Sequence, residues 1–112
     1  MRVFIAGVDG YLGWPLAQHL IRRGHEVAGM DCFMRRAWVA EFGSQSATPI
    51  RSMSERLNAY KENFGKGLKF YEGNLCDYDS VVQAFVDFKR REWAEYHNHV
   101  SDWELKRYLH MF

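Results

Sequence analysis

A glycine-rich segment between two apolar patterns is the feature that most constrains the fold of this chain. Residues 2–6 form a short, largely apolar run of β-formers, and Gly7, Gly10 and Gly13 follow at intervals of three. Apolar residues on both faces of a strand suit the interior of a parallel sheet. The next apolar side chains recur at helical spacing until Gly24 ends the pattern. The segment therefore predicts a strand, a tight turn and a helix whose apolar positions are Leu12, Leu16, Leu20 and Ile21.

A second apolar run, residues 26–30, ends in an acid. Asp31 lies 18 residues beyond Gly13. In a unit that binds a dinucleotide, the glycines let the backbone approach the pyrophosphate, and the helix N-terminus faces its charge. An acid about 20 residues further on accepts hydrogen bonds from the ribose diol. The pattern therefore favours a dinucleotide site over an ordinary structural turn.

The wide glycine spacing resembles that of the extended short-chain dehydrogenase/reductases, the epimerase/dehydratase family, which acts mostly on nucleotide sugars. Segments 7–14, 31–36, 48–50 and 73–77 are similar to the members that build a sulfonated sugar nucleotide. The similarity extends over about residues 1–88. It implies NAD as the cofactor and, in a full-length form only, UDP-glucose and sulfite as substrates.

The same resemblance implies which residues hold the cofactor. Cys32 stands where the family has an asparagine, and Asn74 stands where it has an acid. The amide oxygen of Asn74 can still accept a hydrogen bond from the exocyclic amine of adenine. The expected contacts are Gly7, Gly10, Tyr11, Leu12, Gly13, Asp31, Cys32, Arg35, Arg36, Asn74 and Leu75.

Arg35 and Arg36 have two interpretations. They lie on a solvated helix face, or one guanidinium stacks on the adenine or reaches the adenosine phosphates. An arginine here also favours a 2′-phosphate, whereas the carboxylate of Asp31 repels one. We expect NAD as the cofactor, because an arginine would not easily offset the repulsion between a 2′-phosphate and a carboxylate directed at that position.

The remaining chain completes an α/β pattern. We predict a partial Rossmann-like three-layer fold, with parallel strands in order 3-2-1, helices on both faces and a helical C-terminal tail. Asp77 is expected to cap the helix that follows it. The further elements are helices over 32–47 (around Trp38, Val39 and Phe42) and 54–65, a strand over 68–72, and a helix with Val81, Val82, Phe85 and Phe88 as its apolar positions.

The residue pattern of the sequence changes after residue 88. Charges of both signs alternate with aromatic residues, and no fourth strand can be recognised. Aromatic and aliphatic residues at helical spacing predict a helical tail over 89–112, either native or the product of a frameshift. Residues 1–88 are then the N-terminal half of an NAD-binding domain. His97 and His99 would not share a helix face, so we assign no metal site.

The catalytic pair of the family is missing. These enzymes need Tyr-x-x-x-Lys, because the lysine lowers the pKa of the tyrosine that acts as base. None of the six tyrosines has a lysine four residues later. We therefore assign no catalytic residue and predict the NAD-binding portion of a truncated enzyme that is inactive alone. The alternative is a non-catalytic dinucleotide-binding or interaction module.

Composition restricts the partners. A net charge of +1 gives no electrostatic basis for binding nucleic acid or an anionic membrane. No apolar run approaches the roughly 18 residues of a membrane helix. The two cysteines form no CxxC pair, which fits a reducing cytoplasm.

Because the first strand lacks a fourth strand beside it, we also expect the chain to self-associate.

Overall fold

The computed structural model describes residues 1–96 and Arg107, with the side chains of residues 91–96 left undescribed. The predictions for His97, His99 and most of the tail therefore lie outside the described residues. The elements are β1 (Arg2–Ala6), α1 (Gly13–Arg22), β2 (Glu26–Asp31), α2 (Met34–Glu41), α3 (Met53–Phe64), β3 (Lys69–Glu72) and α4 (Tyr78–Tyr96).

The three strands form a parallel sheet in the order β1-β2-β3, which confirms the predicted α/β fold and strand order. Val3 lies opposite Val27 in the first ladder, and Gly29 lies opposite Phe70 in the second. Each crossover carries at least one helix, as parallel neighbours require. The carboxyl ends of all three strands consequently meet at one edge of the sheet.

Alternating side chains of the strands fill two cores. Ile5 and Val27 belong to a cluster that includes Ala17 and Ile21 of α1 and Tyr60 of α3. On the other face, the ring of Phe4 lies 6.0 Å from that of Phe85 and 6.1 Å from that of Phe88. Helices α1 and α3 therefore cover one face and α4 covers the other, which agrees with the prediction of helices on both faces.

The buried face of α1 agrees with the predicted one only in part: Ile21 is buried and Leu20 packs against the core, but the other two predicted leucines do not. Leu12 and Leu16 are 76% and 47% exposed, while Gly13, Ala17 and Ile21 are buried. The small residues of this stripe let the helix approach the sheet closely. The prediction relied on large apolar side chains, so it included Leu12 and Leu16 and omitted the small residues Gly13 and Ala17.

Helices α2 and α3 form the insert between β2 and β3. Helix α2 is shorter than the predicted 32–47 and has no buried residue. Phe33, with a left-handed φ of 58°, precedes it. Helix α3 begins with a capping box in which Ser52 and Glu55 bond reciprocally. The phenolic hydroxyl of Tyr60 donates to the carbonyl of Gln18 at 3.1 Å, which ties α3 to α1.

Helix α4 continues through residue 88 without a break and is described as far as Tyr96. Phe88 is only 1% exposed. Asp77 precedes the helix as predicted: its carboxylate accepts from the hydroxyl of Ser80, and its carbonyl accepts from Val81 N at 3.1 Å. Within the described part of the chain, no helix combines the length and apolar character needed to cross a bilayer. The division at residue 88 stays a prediction.

We propose that the outer edge of β1 drives self-association. Among the described residues β1 pairs only with β2, although its side chains pack on both faces of the sheet. The ammonium of Lys89 donates to the carbonyl of Arg2 at 3.0 Å and so occupies one acceptor of that edge. Exposed strand edges template further pairing. Light scattering after size exclusion should show a mass that rises with concentration, and a monomer at every concentration would contradict this proposal.

Candidate functional site

Three predicted site segments meet at the carboxyl edge of the sheet. Gly7 follows β1, Asp31 ends β2 and Gly73 follows β3. Backbone hydrogen bonds join them: Gly7 N donates to the carbonyl of Met30 at 2.9 Å, and Gly73 N donates to that of Asp31 at 3.1 Å. Ligands of open parallel sheets bind at this edge. The structure therefore brings these predicted segments together at one edge of the sheet, and their role in binding a ligand stays a prediction.

The turn after β1 has a shape that only glycine supports at two positions. Gly7 has a φ of +74°, a conformation that L-residues rarely adopt. Gly13 packs so closely against the turn that an added Cβ would overlap the carbonyl oxygen of Gly7 and lie 2.8 Å from Val8 Cα. Gly10 N donates to the carbonyl of Gly7 at 3.0 Å and closes the turn. The glycines thus bring the start of α1 directly onto the end of β1.

The start of α1 offers unpaired donors. In the described part of the chain, the N–H groups of Tyr11, Leu12 and Gly13 donate to no carbonyl or side chain. The first turn of α1 contains no acid and no side-chain cap. Tyr11 is 87% exposed, so solvent and ligands reach this surface. Free N–H groups at the positive end of a helix dipole favour an anion.

Asp31 is half-buried, and two backbone donors fix its carboxylate. Oδ2 accepts from Asp9 N at 2.9 Å, and Oδ1 accepts from Phe33 N at 3.0 Å. Each carboxylate oxygen has a second acceptor position, so both can still accept from hydroxyl groups of a ligand. The glycine turn and the acid are therefore connected directly through the backbone of Asp9.

The sequence analysis assigned no role to the side chain of Asp9. Its carboxylate is only 7% exposed and accepts from Arg36 Nε and Nη2, both at 2.6 Å. It also accepts from Arg56 Nη1 at 2.8 Å. A charged residue inside a glycine motif was the available signal, since a buried acid must find cationic partners. One carboxylate thus ties the glycine turn to both α2 and α3.

The two arginines of this cluster have different surroundings. The hydrogen bond to Asp9 raises the pKa of Arg36, and the charge of Asp31 adds to the effect. Burial lowers the pKa of Arg56 despite the attraction of Asp9, because its side chain is 14% exposed against 32% for Arg36. Arg56 also stacks on Trp14, with its guanidinium carbon 4.0 Å from the ring centroid. Both guanidiniums stay charged at neutral pH.

The other predicted contacts lie around this centre without forming an enclosed site. Arg35 is exposed, and Cys32 is a half-buried free thiol. Asn74 is exposed, and its amide oxygen accepts from Cys76 N at 2.9 Å, while Leu75 is 37% exposed. The glycine turn lines neither the cleft of about 280 Å³ between α1 and α3 nor the cleft of about 730 Å³ between β3 and α4. Among the described residues, no group of acidic, cysteine or histidine side chains is arranged to bind a metal.

Comparisons with known proteins identify relatives that this chain matches over only part of their length. No family model matches the chain. The UDP-sulfoquinovose synthase of Sulfolobus acidocaldarius is 39% identical over 104 residues, which cover 86% of this chain and 26% of that protein. The chloroplastic UDP-sulfoquinovose synthase of Spinacia oleracea is 33% identical over 88 residues, or 79% of this chain and 18% of the relative. The UDP-glucose 4-epimerase of Bacillus subtilis is 29% identical over 87 residues, or 78% of this chain and 21% of the relative.

The chain therefore spans about a quarter or less of the length of these relatives. The archaeal alignment covers 86% of the chain, so it extends past residue 88. The names of the relatives agree with the resemblance that the glycine turn, Asp31 and the segment after β3 carry. They concern enzymes of nucleotide-sugar metabolism.

Proposed function

Because the matched segment of this chain belongs to the epimerase/dehydratase family of nucleotide-sugar enzymes, we propose that it binds NAD through the ADP half of the cofactor. The observation that carries the proposal is the junction of the glycine turn with Asp31. Asp9 N donates to the Asp31 carboxylate at 2.9 Å, and the free N–H groups of Tyr11, Leu12 and Gly13 lie just beyond. This arrangement supports an anion site next to an acceptor for a diol.

Each part of the ADP half has a matching group. The pyrophosphate meets the free N–H groups at the start of α1, where the helix dipole favours negative charge. The ribose diol donates to the carboxylate oxygens of Asp31, since each keeps one acceptor position. The adenine lies towards Asn74 and Leu75, after β3. Cys32 and Arg35 flank the ribose from the β2–α2 connection.

The reaction of a longer form is proposed from the relatives. Two of them are named UDP-sulfoquinovose synthase, which supports a UDP-sugar substrate and a sulfonated product. NAD would supply hydride transfer there, and this chain would supply only the binding of the adenosine and pyrophosphate. The present sequence holds no Tyr-x-x-x-Lys, so we expect no turnover of UDP-glucose by it alone.

The absence of this pair from the sequence also supports a second function, a non-catalytic dinucleotide-binding module. The two functions share the same dinucleotide site and differ in whether dinucleotide binding serves catalysis or only association with another protein. Catalysis by a complex of this chain with a separate partner polypeptide would favour the first. Dinucleotide binding that changes only association with another protein would favour the second.

Isothermal titration calorimetry of the purified chain with NAD and ADP-ribose tests the proposed site. We expect the two ligands to bind with dissociation constants that agree within about threefold, a difference under 0.7 kcal/mol. The physical reason is that every proposed contact lies on the ADP half. Nicotinamide mononucleotide, which lacks that half, is the control and should not bind. A large preference for intact NAD over ADP-ribose would contradict the proposal.

A further inference from the structure

The guanidinium of Arg36 is linked through Asp9 to the carboxylate that is proposed to hold the ribose, because both hydrogen-bond to Asp9. Arg36 belongs to the first turn of α2, five residues after Asp31, and the charge of Asp31 contributes to its raised pKa. An arginine in this neighbourhood is the group that dinucleotide sites use to accommodate a 2′-phosphate. The position of Arg36 alone would therefore favour NADP.

The guanidinium of Arg36 does not point freely towards the ligand surface. Its Nε and Nη2 both donate to the carboxylate of Asp9 at 2.6 Å, and Nη2 also donates to the carbonyl of Arg51 at 3.1 Å. The Asp9 side chain is 7% exposed and that of Arg36 is 32% exposed, so the acid of this bidentate pair is shielded from solvent and the guanidinium is shielded in part. Planar bidentate pairs of this kind are among the stronger and more directional contacts in proteins.

We propose that Asp9 is a specificity-determining residue that excludes NADP by holding Arg36 away from the 2′-position. The inference rests on the proposed dinucleotide site. Asp9 acts through its two ends: the backbone N–H orients Asp31 towards the diol, and the carboxylate engages the arginine that would otherwise neutralise a 2′-phosphate. One residue of the glycine turn thereby selects for the diol and against the phosphate.

The charges around the site agree with this role. Asp9 and Asp31 balance Arg36 and Arg56, so the cluster as a whole carries no net charge. Replacing Asp9 by asparagine keeps the backbone donor and the size of the side chain. It leaves two guanidiniums against a single carboxylate, and a 2′-phosphate would then enter a positive environment.

The test is the ratio of NADP to NAD dissociation constants in wild type and Asp9→Asn, measured by calorimetry at low salt. We expect wild type to favour NAD and Asp9→Asn to reduce that preference by about tenfold or more, the effect of one charge-assisted hydrogen bond. Adding Arg36→Ala to Asp9→Asn should restore the preference. Glu41→Gln is the matched control: like Asp9→Asn it removes one negative charge, but at an exposed position of α2, and it should leave the cofactor preference unchanged.

A purely structural role for Asp9 would weaken both cofactors equally and leave the ratio at its wild-type value, which would overturn the inference. If Asp9→Asn unfolds, the affinities of Arg36→Ala in the wild-type background for NAD and NADP test the inference instead. A loss of NADP affinity greater than the loss of NAD affinity would mean that Arg36 already reaches the 2′-phosphate, which also overturns the inference. An equal effect on both cofactors would support it. Failure of wild type to bind NAD, NADP or ADP-ribose would overturn the proposed function and this inference together.

Discussion

Gly13→Ala should lower the melting temperature of the chain by more than about 10 °C. An added Cβ at this position would overlap the carbonyl oxygen of Gly7 and lie 2.8 Å from Val8 Cα. Both are backbone atoms, so no side-chain rotation relieves the clash, and α1 must move away from β1. Overpacking of this kind costs about 3 kcal/mol. The displaced helix would also move the N–H groups proposed to bind the pyrophosphate.

Thermal unfolding followed by circular dichroism measures this effect, and Gly67→Ala is the matched control. A Cβ at Gly67 meets nothing within 4 Å, and its backbone has an ordinary φ. The control should therefore melt within a few degrees of wild type or slightly above it, because alanine restricts the unfolded chain by about 0.4–1 kcal/mol. Equal melting temperatures for the two variants would contradict the close packing of α1 on the glycine turn.

Asp31→Ala should weaken NAD binding by about 10- to 100-fold, because each charge-assisted hydrogen bond contributes about 1.5–3 kcal/mol. The carboxylate also accepts from Asp9 N and Phe33 N, so the variant leaves both donors without that acceptor. Removing the negative charge ends the repulsion of a 2′-phosphate. NADP binding should therefore fall less than NAD binding, and the difference between the two cofactors should narrow.

Competition binding with NAD and NADP measures both effects. Asp31→Asn is the control for shape, because it keeps one oxygen acceptor while removing the charge. It should retain the fold and lie between wild type and Asp31→Ala in NAD affinity. A wild-type chain that already prefers NADP would contradict the role given to Asp31 and would make an arginine the dominant group at the 2′-position.

Local patterns in the sequence were sufficient for the strands and for the edge where the site lies. Residues 3–6 and 27–30 are apolar runs, and their parallel pairing follows from the helix between them. The position of Asp31 at the end of β2 was predictable because it depends only on the length of the second apolar run. The order of the strands follows from the short, right-handed connections of α/β folds.

The same patterns could not identify the Asp9 cluster. Asp9 contacts Arg36 and Arg56, which are 27 and 47 residues further along the chain. These contacts exist only after α2 and α3 fold back over the glycine turn, and no local spacing encodes that path. Two residues of the buried stripe of α1 were missed for a related reason. Gly13 and Ala17 carry little hydrophobic signal, yet their small size lets the helix approach the sheet.

The most direct test of the proposed site is a titration of the isotopically labelled chain with ADP-ribose, followed by backbone amide chemical shifts. We expect the largest changes at Tyr11, Leu12 and Gly13, whose N–H groups donate to no acceptor in the described part of the chain. Smaller changes should follow at residues 31–33 and 73–75, on the same edge of the sheet. Changes confined to the cleft between α1 and α3, or no change at saturating ligand, would contradict the account.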